Sequence, residues 1–343
     1  MRNIKKLSTL TQTSQRKADH IQLAFESVAD GQDKRFYYEP MLAAHPTENT
    51  IPLTKIGNRQ MKLPLWVSSM TGGSEKAGHI NRSLAQACGK YGIGMGLGSC
   101  RIVLEDSKYF SDFDLRAYLG DEVPFMANLG IAQIENIVAN GDYKIVEDLV
   151  HSLQADGLII HVNPLQEWFQ PEGDKITVSP IQTLKSFLKH FNYPIWVKEV
   201  GQGFGIKSLE ALLELPVSGI EFGAYGGTNF AKLESLRHKS NAANSILPLS
   251  KVGHTADEMT EFINDLFNRK PQLFENKIMV VSGGIKNFLD GYYLINKLNV
   301  PAVYAQASAF LKHALEGSQA VEQFIESEKR GLMAAYAYLT VKK

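Results

Sequence analysis

Four side chains that could bind a phosphorylated ligand lie close together in the segment HVNPLQE, residues 161–167. His161, Asn163 and Gln166 offer imidazole and amide groups, and Glu167 adds a carboxylate. Because side chains alternate along a strand, we expect His161 and Asn163 to share one face. This set can hold a diphosphate by hydrogen bonds while Glu167 binds hydrated Mg²⁺, a cation that prefers oxygen ligands. A single histidine at a strand end is more often structural, but packing does not easily explain four such groups.

A lysine within an apolar run marks a second candidate position. Lys198 lies in the segment WVKEVG, where a buried ammonium group needs a charge partner or an anionic ligand. Glu199 would point to the opposite face of a strand, so it is not the expected partner. The N1–C2=O edge of a flavin, which becomes anionic on reduction, would suit Lys198. The alternative is a core ion pair with a carboxylate from another strand.

Further cations and glycines could bind phosphate groups. Arg101 in GSCR and the pair Arg16 and Lys17 supply the positive charge that a diphosphate requires, although a solvated face would explain Arg16 and Lys17 equally well. The two glycines of VVSGGIKN free backbone N–H groups ahead of a predicted helix, and another helix is predicted after AQA. Phosphate sites at these two positions recur in barrel enzymes. We therefore expect a phosphorylated cofactor there, with a bare turn as the alternative.

Eight short apolar runs, separated by helical patterns, are expected to position these groups. The runs span 63–69, 92–98, 124–130, 157–163, 194–200, 218–224, 277–283 and 301–307. They are apolar on both faces, as strands covered by helices are. Eight such units predict an α/β fold, a (β/α)₈ TIM barrel, whose active site lies at the carboxyl ends of the strands. Polar or glycine-rich segments follow the runs in seven places, which indicates that HVNPLQE, Lys198 and SGG lie at the same end.

The bulk composition excludes several classes of protein. The chain of 343 residues has 36 basic and 36 acidic residues, and its formal net charge of zero argues against nucleic-acid binding. Cys88 and Cys100 lie outside any metal-binding spacing, and we interpret them as reduced thiols. The sequence has no signal-peptide pattern and no apolar run of ~20 residues, so we expect a cytoplasmic protein without a membrane span.

Two segments are expected to lie outside the barrel proper. Residues 1–62 are predicted to form an N-terminal extension that contributes Arg16 and Lys17 to the site, and residues 63–343 form the barrel. A long polar insertion, 225–253, follows the sixth strand. Long loops in barrels are usually lids or interface segments.

Together, these motifs resemble the type 2 isopentenyl-diphosphate delta-isomerases, the FMN-dependent family. The resemblance covers most of the chain through RKADHI, SMTGG, GLGSCR, ANLG, HVNPLQEWFQPEGD, VKEVGQG, GGT and SGGIKN. HVNPLQE followed by QPEGD is the most specific of these motifs, whereas SGG and NLG are shared by many flavin barrels. The sequence departs from the family in EFGAYGGTNF, where GGTSW would be usual, in FLDG at Phe288, where glycine would be usual, and in LNVPA, where LGA would be usual.

The resemblance implies an isomerase of isoprenoid biosynthesis that interconverts isopentenyl and dimethylallyl diphosphates with no net redox change. In this family reduced FMN is the acid–base cofactor, NAD(P)H or another reductant supplies its electrons, and Mg²⁺ is required. The proton transfer is assigned to the FMN and to no side chain, and Gln166 and His161 are expected to support the FMN. The resemblance also implies a homo-oligomer, either a tetramer or an octamer.

Carried over residue by residue, the resemblance implies three sets of contacts. FMN would be contacted by Ser69, Met70, Thr71, Ser99, Asn128, Lys198 and Thr228. Its phosphate would be held by Gly283, Gly284, Ala307 and Ser308. The substrate would be contacted by Arg16, Lys17, Ser99, Arg101, His161, Asn163 and Gln166, with Glu167 bound to Mg²⁺.

Two other classes of protein share parts of this pattern. An FMN-dependent α-hydroxy-acid oxidase or dehydrogenase has the same barrel and the SGG segment, but it needs a histidine base beside an arginine that grips the carboxylate. The sequence has no His–Gly–Gly–Arg run around the seventh and eighth strands, and His254 lies too far upstream of SGG. A non-catalytic flavin- or diphosphate-binding barrel would not need all four polar groups of HVNPLQE.

Overall fold

The eight apolar runs close into a barrel, as predicted. The computed structural model describes residues 2–69, 74–237 and 246–342, with side chains described from residue 13 onward except at position 75. Its strands are β1 (Phe36–Tyr38), β2 (Thr54–Ile56), β3 (Arg59–Met61), β4 (Leu65–Val67), β5 (Gly94–Gly96), β6 (Phe125–Gly130), β7 (Gly157–Val162), β8 (Ile195–Glu199), β9 (Gly219–Glu221), β10 (Ile278–Ser282), β11 (Ala302–Gln306) and β12 (Leu339–Val341). Strands β4 to β11 pair in parallel with their neighbours along the chain, and β11 pairs with β4 to complete the ring.

Most helices of the described residues cover the outside of this ring, whereas the first helix is exposed. The helices are α1 (Arg2–Leu23), α2 (Glu75–Tyr91), α3 (Arg101–Glu105), α4 (Arg116–Leu119), α5 (Ile131–Asn140), α6 (Tyr143–Ser152), α7 (Pro164–Phe169), α8 (Pro180–Phe187), α9 (Ile206–Leu213), α10 (Phe230–Arg237), α11 (Ala256–Arg269), α12 (Phe288–Lys297), α13 (Ser308–Glu316) and α14 (Ser318–Tyr338). Short 3₁₀ helices span Glu48–Thr50, Ser107–Asp112, Leu247–Lys251 and Pro271–Phe274. No helix among the described residues has the length and the apolar character needed to cross a lipid bilayer.

The first helix after a barrel strand shows how local sequence sets its ends. The hydroxyl of Ser74 accepts a hydrogen bond from the Ala77 backbone N–H at 3.3 Å and caps the start of α2. Gly92 ends the helix in the left-handed region, with φ of 68°, where glycine has no steric penalty. The helix therefore spans Glu75–Tyr91, with Ser74 as its cap.

The side chains that point into the barrel form an apolar layer and a polar layer. The apolar layer lies towards the amino ends of the strands and contains Met61, Trp66, Met126, Ile159, Trp196, Ile278, Val280, Val303 and Ala305. Two residues further along their strands, alternation brings polar side chains to the same inner face. We call this second set the polar layer: Ser68, Asn128, His161, Lys198, Glu221 and Ser282. The apolar layer therefore forms the floor beneath the polar groups at the carboxyl end of the barrel.

The N-terminal extension is tied to the end of the chain. Strand β1 pairs antiparallel with β12, and Phe36 packs against the rings of Tyr292 and Tyr293 on α12. Strands β2 and β3 form a hairpin whose last residue, Met61, is fully buried inside the barrel. By contrast, the end of α1 exposes large apolar side chains, since Ile21 is 76% exposed.

The described parts of the predicted polar insertion at 225–253 are largely helical. Its described parts form α10 and the 3₁₀ helix Leu247–Lys251, while residues 238–245 lie outside the described part of the chain. Asn229 links the two ends of the insertion, because its Nδ2 donates to the Ser250 carbonyl at 2.6 Å.

A buried arginine below the barrel provides a test of the fold. The guanidinium of Arg116 donates to three backbone carbonyls and to Asp156. Arg116→Met should lower the free energy of unfolding by about 3 kcal/mol or more, because it leaves buried acceptors without a partner. Urea unfolding measures this loss. Arg269→Met, which removes an exposed pair with Asp265, should change stability by less than about 0.5 kcal/mol, and equal losses in both variants would contradict the account.

Candidate active site

Three titratable side chains form a row in the polar layer. Strand pairing sets His161 on β7 beside Lys198 on β8, and Lys198 beside Glu221 on β9. Lys198 and Glu221 are buried, and His161 is partly buried. The row therefore places one cation between an imidazole and a carboxylate, just above the apolar floor of the barrel.

The environment of His161 fixes its protonation state. Its Nδ1 lies 2.8 Å from Oδ1 of Asn128, and Nδ2 of Asn128 donates to the Leu97 carbonyl at 2.9 Å. Since that amide already directs its oxygen at the ring, Nδ1 carries the proton and Nε2 is an acceptor in the neutral ring. Burial, together with the charge of Lys198, lowers the pKa of His161 to about 3. For Nε2 to donate to a diphosphate, the ring would have to bind a second proton.

The neutral state of His161 gives a pH-dependent prediction. In the unfolded chain its pKa is close to 6.5, so between that value and about 3 the unfolded chain binds more protons than the folded protein. Stability contributed by this residue is therefore lost as pH falls below 6.5, by at most about 1.4 kcal/mol per pH unit. Urea unfolding at several pH values should show that the free energy of unfolding of His161→Asn falls less steeply with decreasing pH than that of the wild type. The exposed control His151→Asn should follow the wild-type curve, and identical curves for all three would contradict the prediction.

Lys198 is not held in a core ion pair. Its Nζ donates to the Glu199 carbonyl at 2.9 Å, and no carboxylate of the described residues lies within 4 Å of it. Two of its three N–H donors are therefore open to a ligand. Glu199 faces away from Lys198, as predicted, because its Oε2 accepts from the backbone N–H groups of residues 201–203 at 2.6–2.9 Å.

The segment HVNPLQE turns from strand to helix at its third residue. Strand β7 ends at Val162, so Asn163 does not continue the strand but caps α7, with Pro164 in the first turn. Nδ2 of Asn163 donates to Oε1 of Gln166 at 3.1 Å and to Oε1 of Glu167 at 2.7 Å. Oδ1 of Asn163 is buried without a partner among the described residues. Three of the four predicted groups are therefore brought into direct contact.

Glu167 can still serve a cation. Its Oε2 accepts from the backbone N–H of Asp174 at 2.7 Å, and its Oε1 accepts from Asn163, so each oxygen keeps a free lone pair. The described residues contain no cluster of three His, Cys, Asp or Glu that could enclose a metal. Mg²⁺ is commonly held by one or two carboxylates, water and substrate phosphates. The carboxylate oxygens of Glu167, each with a free lone pair, fit that kind of site.

Arg101 is engaged by acidic neighbours. Its Nε lies 2.7 Å from Oε1 of Glu105, and its NH1 lies 2.6 Å from Oδ2 of Asp174. Asp174 also accepts from Nε2 of Gln133 at 2.8 Å. The sequence motif QPEGD flagged this carboxylate, but its link to Arg101 and Gln133 was missed. A diphosphate would have to compete with these carboxylates for the guanidinium group.

The predicted cations of the N-terminal extension stand apart. Arg16 and Lys17 are exposed on α1, and neither forms a hydrogen bond or an ion pair with another described side chain. The structure does not bring them into contact with HVNPLQE. Their role at the site stays a prediction.

The predicted phosphate site is built from backbone without side chains. Gly283 and Gly284 have φ of 93° and 75°, and they approach the glycines of the β9 loop so closely that a Cβ on Gly227 would lie 3.2 Å from the Gly284 nitrogen. The N-terminus of α12 is not available, because the Asn287 side chain caps it. The start of α13, at Ala307 and Ser308, has no side-chain cap. Free N–H groups for a phosphate are therefore at α13, not α12.

Buried polar atoms without partners line the same end of the barrel. Among the described residues these include the hydroxyl of Ser69, Oε2 of Glu221 and Oε1 of Gln306. A buried polar atom normally has a hydrogen-bond partner, so such atoms indicate a place for water or a polar ligand. Together with the open donors of Lys198, they fit the polar edge of a flavin. Sequence patterns missed Glu221 and Gln306, because both lie in apolar runs.

Two other predicted cofactor contacts, Ser99 and Thr228, are at the rim. Ser99 and Thr228 are exposed in the segments that follow β5 and β9. Ser99 is tied to its own turn, since its Oγ lies 3.5 Å from the Arg101 backbone nitrogen. Met70 and Thr71 lie outside the described residues.

Comparison with known proteins links the chain to one family of enzymes. No model of a protein family matches it. The isopentenyl-diphosphate delta-isomerase of Cronobacter sakazakii is 33% identical over 317 residues, which are 90% of this chain and 87% of that protein. The isopentenyl-diphosphate delta-isomerase of Rickettsia felis is 31% identical over 308 residues, covering 88% of this chain and 85% of that protein.

Solved structures share the fold at much lower identity. A mutant flavocytochrome b2 with pyruvate bound matches with a TM-score of 0.58 at 16% identity, over 88% of this chain and 73% of that chain. A mutant mandelate oxidase with a monooxide FMN adduct matches with a TM-score of 0.52 at 12% identity, over 90% of this chain and 88% of that chain. At such identities the likeness concerns the barrel alone.

Proposed function

The chain belongs to the isopentenyl-diphosphate delta-isomerase family and is an isomerase, and from this premise we propose that it interconverts isopentenyl and dimethylallyl diphosphates with reduced FMN and Mg²⁺. The observation that carries the proposal is the open ammonium group of Lys198 above a dry barrel floor, beside buried polar atoms without partners. NAD(P)H as the reductant and a homo-oligomeric state, tetramer or octamer, belong to the same proposal.

The proton chemistry is assigned to the cofactor. Moving a double bond adds a proton at one carbon and removes one from another, and bound, reduced FMN would supply this acid–base chemistry. Lys198 would hold the anionic edge of the ring, with Asn128 and the hydroxyl of Ser69 nearby. The backbone at Gly283, Gly284, Ala307 and Ser308 would hold the phosphate of FMN. These residues would orient the cofactor and would take no part in the proton transfer.

The substrate is assigned to the segment HVNPLQE and its surroundings. Gln166 and Asn163 would bind the diphosphate by hydrogen bonds, and Glu167 would hold a hydrated Mg²⁺ against it. Arg101 would exchange a carboxylate partner for a phosphate oxygen. Residues 1–62 would contribute Arg16 and Lys17, which requires α1, or the α1 of another copy, to approach this end of the barrel.

The proposal is tested by supplying the reaction components to the purified protein. Protein loaded with FMN, reduced and incubated with isopentenyl diphosphate and Mg²⁺, should yield dimethylallyl diphosphate. A non-catalytic binding barrel would yield none. An α-hydroxy-acid oxidase would instead bleach its flavin on addition of a hydroxy acid, and the barrel fold shared with such oxidases does not by itself favour that activity.

A substitution in HVNPLQE tests the substrate assignment. Gln166→Ala should lower kcat/KM by about 10- to 150-fold, since a hydrogen bond to a charged group contributes about 1.5–3 kcal/mol. Thermal unfolding should change little, because Gln166 is only partly buried. Gln182→Ala, an exposed glutamine on α8, serves as the control. Full activity of Gln166→Ala would show that the substrate lies elsewhere.

A further inference from the structure

One buried carboxylate has no part in the proposed contacts. Glu221 on β9 is fully buried in the polar layer. The hydroxyl of Ser68, which directly follows β4 across the barrel, donates to its Oε1, and the hydroxyl of Ser282 on the adjacent β10 lies beside it. Its Oε2 has no partner among the described residues. A carboxylate placed in this way is costly to keep charged, because burial disfavours the ion.

The nearest cation to Glu221 interacts with it only at longer range. Lys198 is its neighbour across the β8–β9 pairing, yet no ion pair within 4 Å joins the two side chains. Burial raises the pKa of Glu221, while Lys198 and the two serine hydroxyls oppose that rise. The charge on Glu221 therefore depends on whether Lys198 has another counter-ion.

We propose that Glu221 takes up a proton from solvent when the bound flavin is reduced, so that the net charge around Lys198 stays constant. The inference rests on the proposed function, because it needs a flavin whose N1–C2=O edge faces Lys198. Beside an oxidised, neutral flavin, the Glu221 carboxylate is the counter-ion of Lys198. Reduction creates a new anion at the flavin edge, and Glu221 then becomes the neutral acid.

The step balances in electrons and protons. Two electrons enter the flavin from a chemical reductant such as dithionite, and one proton binds at N5, which leaves the ring with one negative charge. Glu221 binds the second proton, forming an O–H bond at its Oε2 or Oε1. Two electrons and two protons are taken up in total, whereas a flavin bound as the same anion without Glu221 would take up only one proton.

Among the described residues, the groups that face Glu221 from each packed element leave one competing proton acceptor. Lys198 on β8 is already a cation, and the Ser68 and Ser282 hydroxyls do not titrate near neutral pH. His161 on β7 lies beyond Lys198, with Nδ1 bonded to Asn128 and Nε2 open. Because His161 could also bind a proton when an anion forms beside Lys198, the experiment has to separate it from Glu221.

The pH dependence of the flavin midpoint potential makes this separation. For a two-electron couple, each proton taken up shifts the potential by about 30 mV per pH unit, so two protons give about 59 mV. Wild-type protein loaded with FMN should show the two-proton slope around neutral pH. Glu221→Gln, which keeps the size of the side chain, should show the one-proton slope, and the matched variant His161→Gln should keep two. A one-proton slope in the wild type, or a two-proton slope in Glu221→Gln, would overturn the inference.

The outcomes separate this inference from the proposed function. If the protein binds no FMN, both fail together. If it binds FMN and isomerises the substrate but takes up one proton per two electrons, the function stands and the role of Glu221 is wrong. Should Glu221→Gln not fold, proton uptake by the wild type and by His161→Gln can be measured directly, with a pH indicator in weak buffer during reduction. Uptake of two protons by both the wild type and His161→Gln, with a reduced flavin whose absorption spectrum is that of the anion, supports the inference, and uptake of one proton by either protein overturns it.

Discussion

Replacing Lys198 with methionine is expected to lower kcat by about 10²- to 10³-fold, the loss typical of removing one preorganised electrostatic group from an active site. Lys198 is the one cation of the polar layer, and its ammonium group keeps two open N–H donors. Methionine fills most of the same space, but it has neither a positive charge nor an N–H donor to interact with an anion. FMN should also bind more weakly, or return to its oxidised form more readily, because the reduced ring loses its counter-charge.

The control for this change is a lysine on the outside of the same barrel. Lys207→Met, at an exposed position on α9, removes an equal charge without touching the polar layer. Its kcat should match the wild type. If both variants lose activity equally, the effect is one of net charge or folding, and the assignment of Lys198 to the cofactor is wrong. Fluorescence titration with FMN separates weaker binding from slower turnover.

Replacing Glu167 with glutamine should raise the Mg²⁺ concentration needed for half-maximal activity by about 10²-fold or more. Mutation of a partner that only orients a metal ligand already costs about 10- to 100-fold in metal affinity, and Glu167 is proposed as the ligand itself. Glutamine can still accept from Nδ2 of Asn163, so the start of α7 should persist. Only the bond from the Asp174 backbone N–H, which needs a second acceptor oxygen, is lost.

A Mg²⁺ titration of the initial rate measures this shift. Glu322→Gln, on α14 far along the chain, removes a carboxylate that pairs with Lys90 at the surface and serves as the control. It should leave the Mg²⁺ dependence unchanged. An unchanged Mg²⁺ dependence in Glu167→Gln, whether its maximal activity is kept or lowered, would show that the cation binds elsewhere.

The barrel could be predicted because each of its strands has a local sequence pattern that can be recognised without knowledge of the rest of the fold. Every apolar run became a strand of the ring, since both faces of a barrel strand are dry and the sequence must be apolar on both. The ends of the strands were less well predicted, because the hydrogen-bonded pairing between strands stops where the chain turns into a helix. Asn163 shows this: it belonged to the predicted strand, but with Pro164 behind it the chain begins α7.

The site was only partly visible in the sequence, for two physical reasons. Contacts such as that between Arg101 and Asp174 join residues 73 positions apart, and no local pattern records them. Glu221 could not be predicted for a second reason. A single charged residue within an apolar strand forms no sequence motif, and its role can be inferred only once the neighbouring strands are known. The register that places His161, Lys198 and Glu221 in a row arises only when the barrel closes.

One anaerobic experiment tests whether this barrel isomerises its substrate on a flavin without net redox change. Protein carrying reduced FMN is mixed with excess isopentenyl diphosphate and Mg²⁺, and the flavin absorbance is recorded while the products are analysed. We predict many equivalents of dimethylallyl diphosphate per flavin, with the spectrum still that of the reduced cofactor at the end. Reoxidation of the flavin in step with product, or equal product formation without any flavin, would contradict the account.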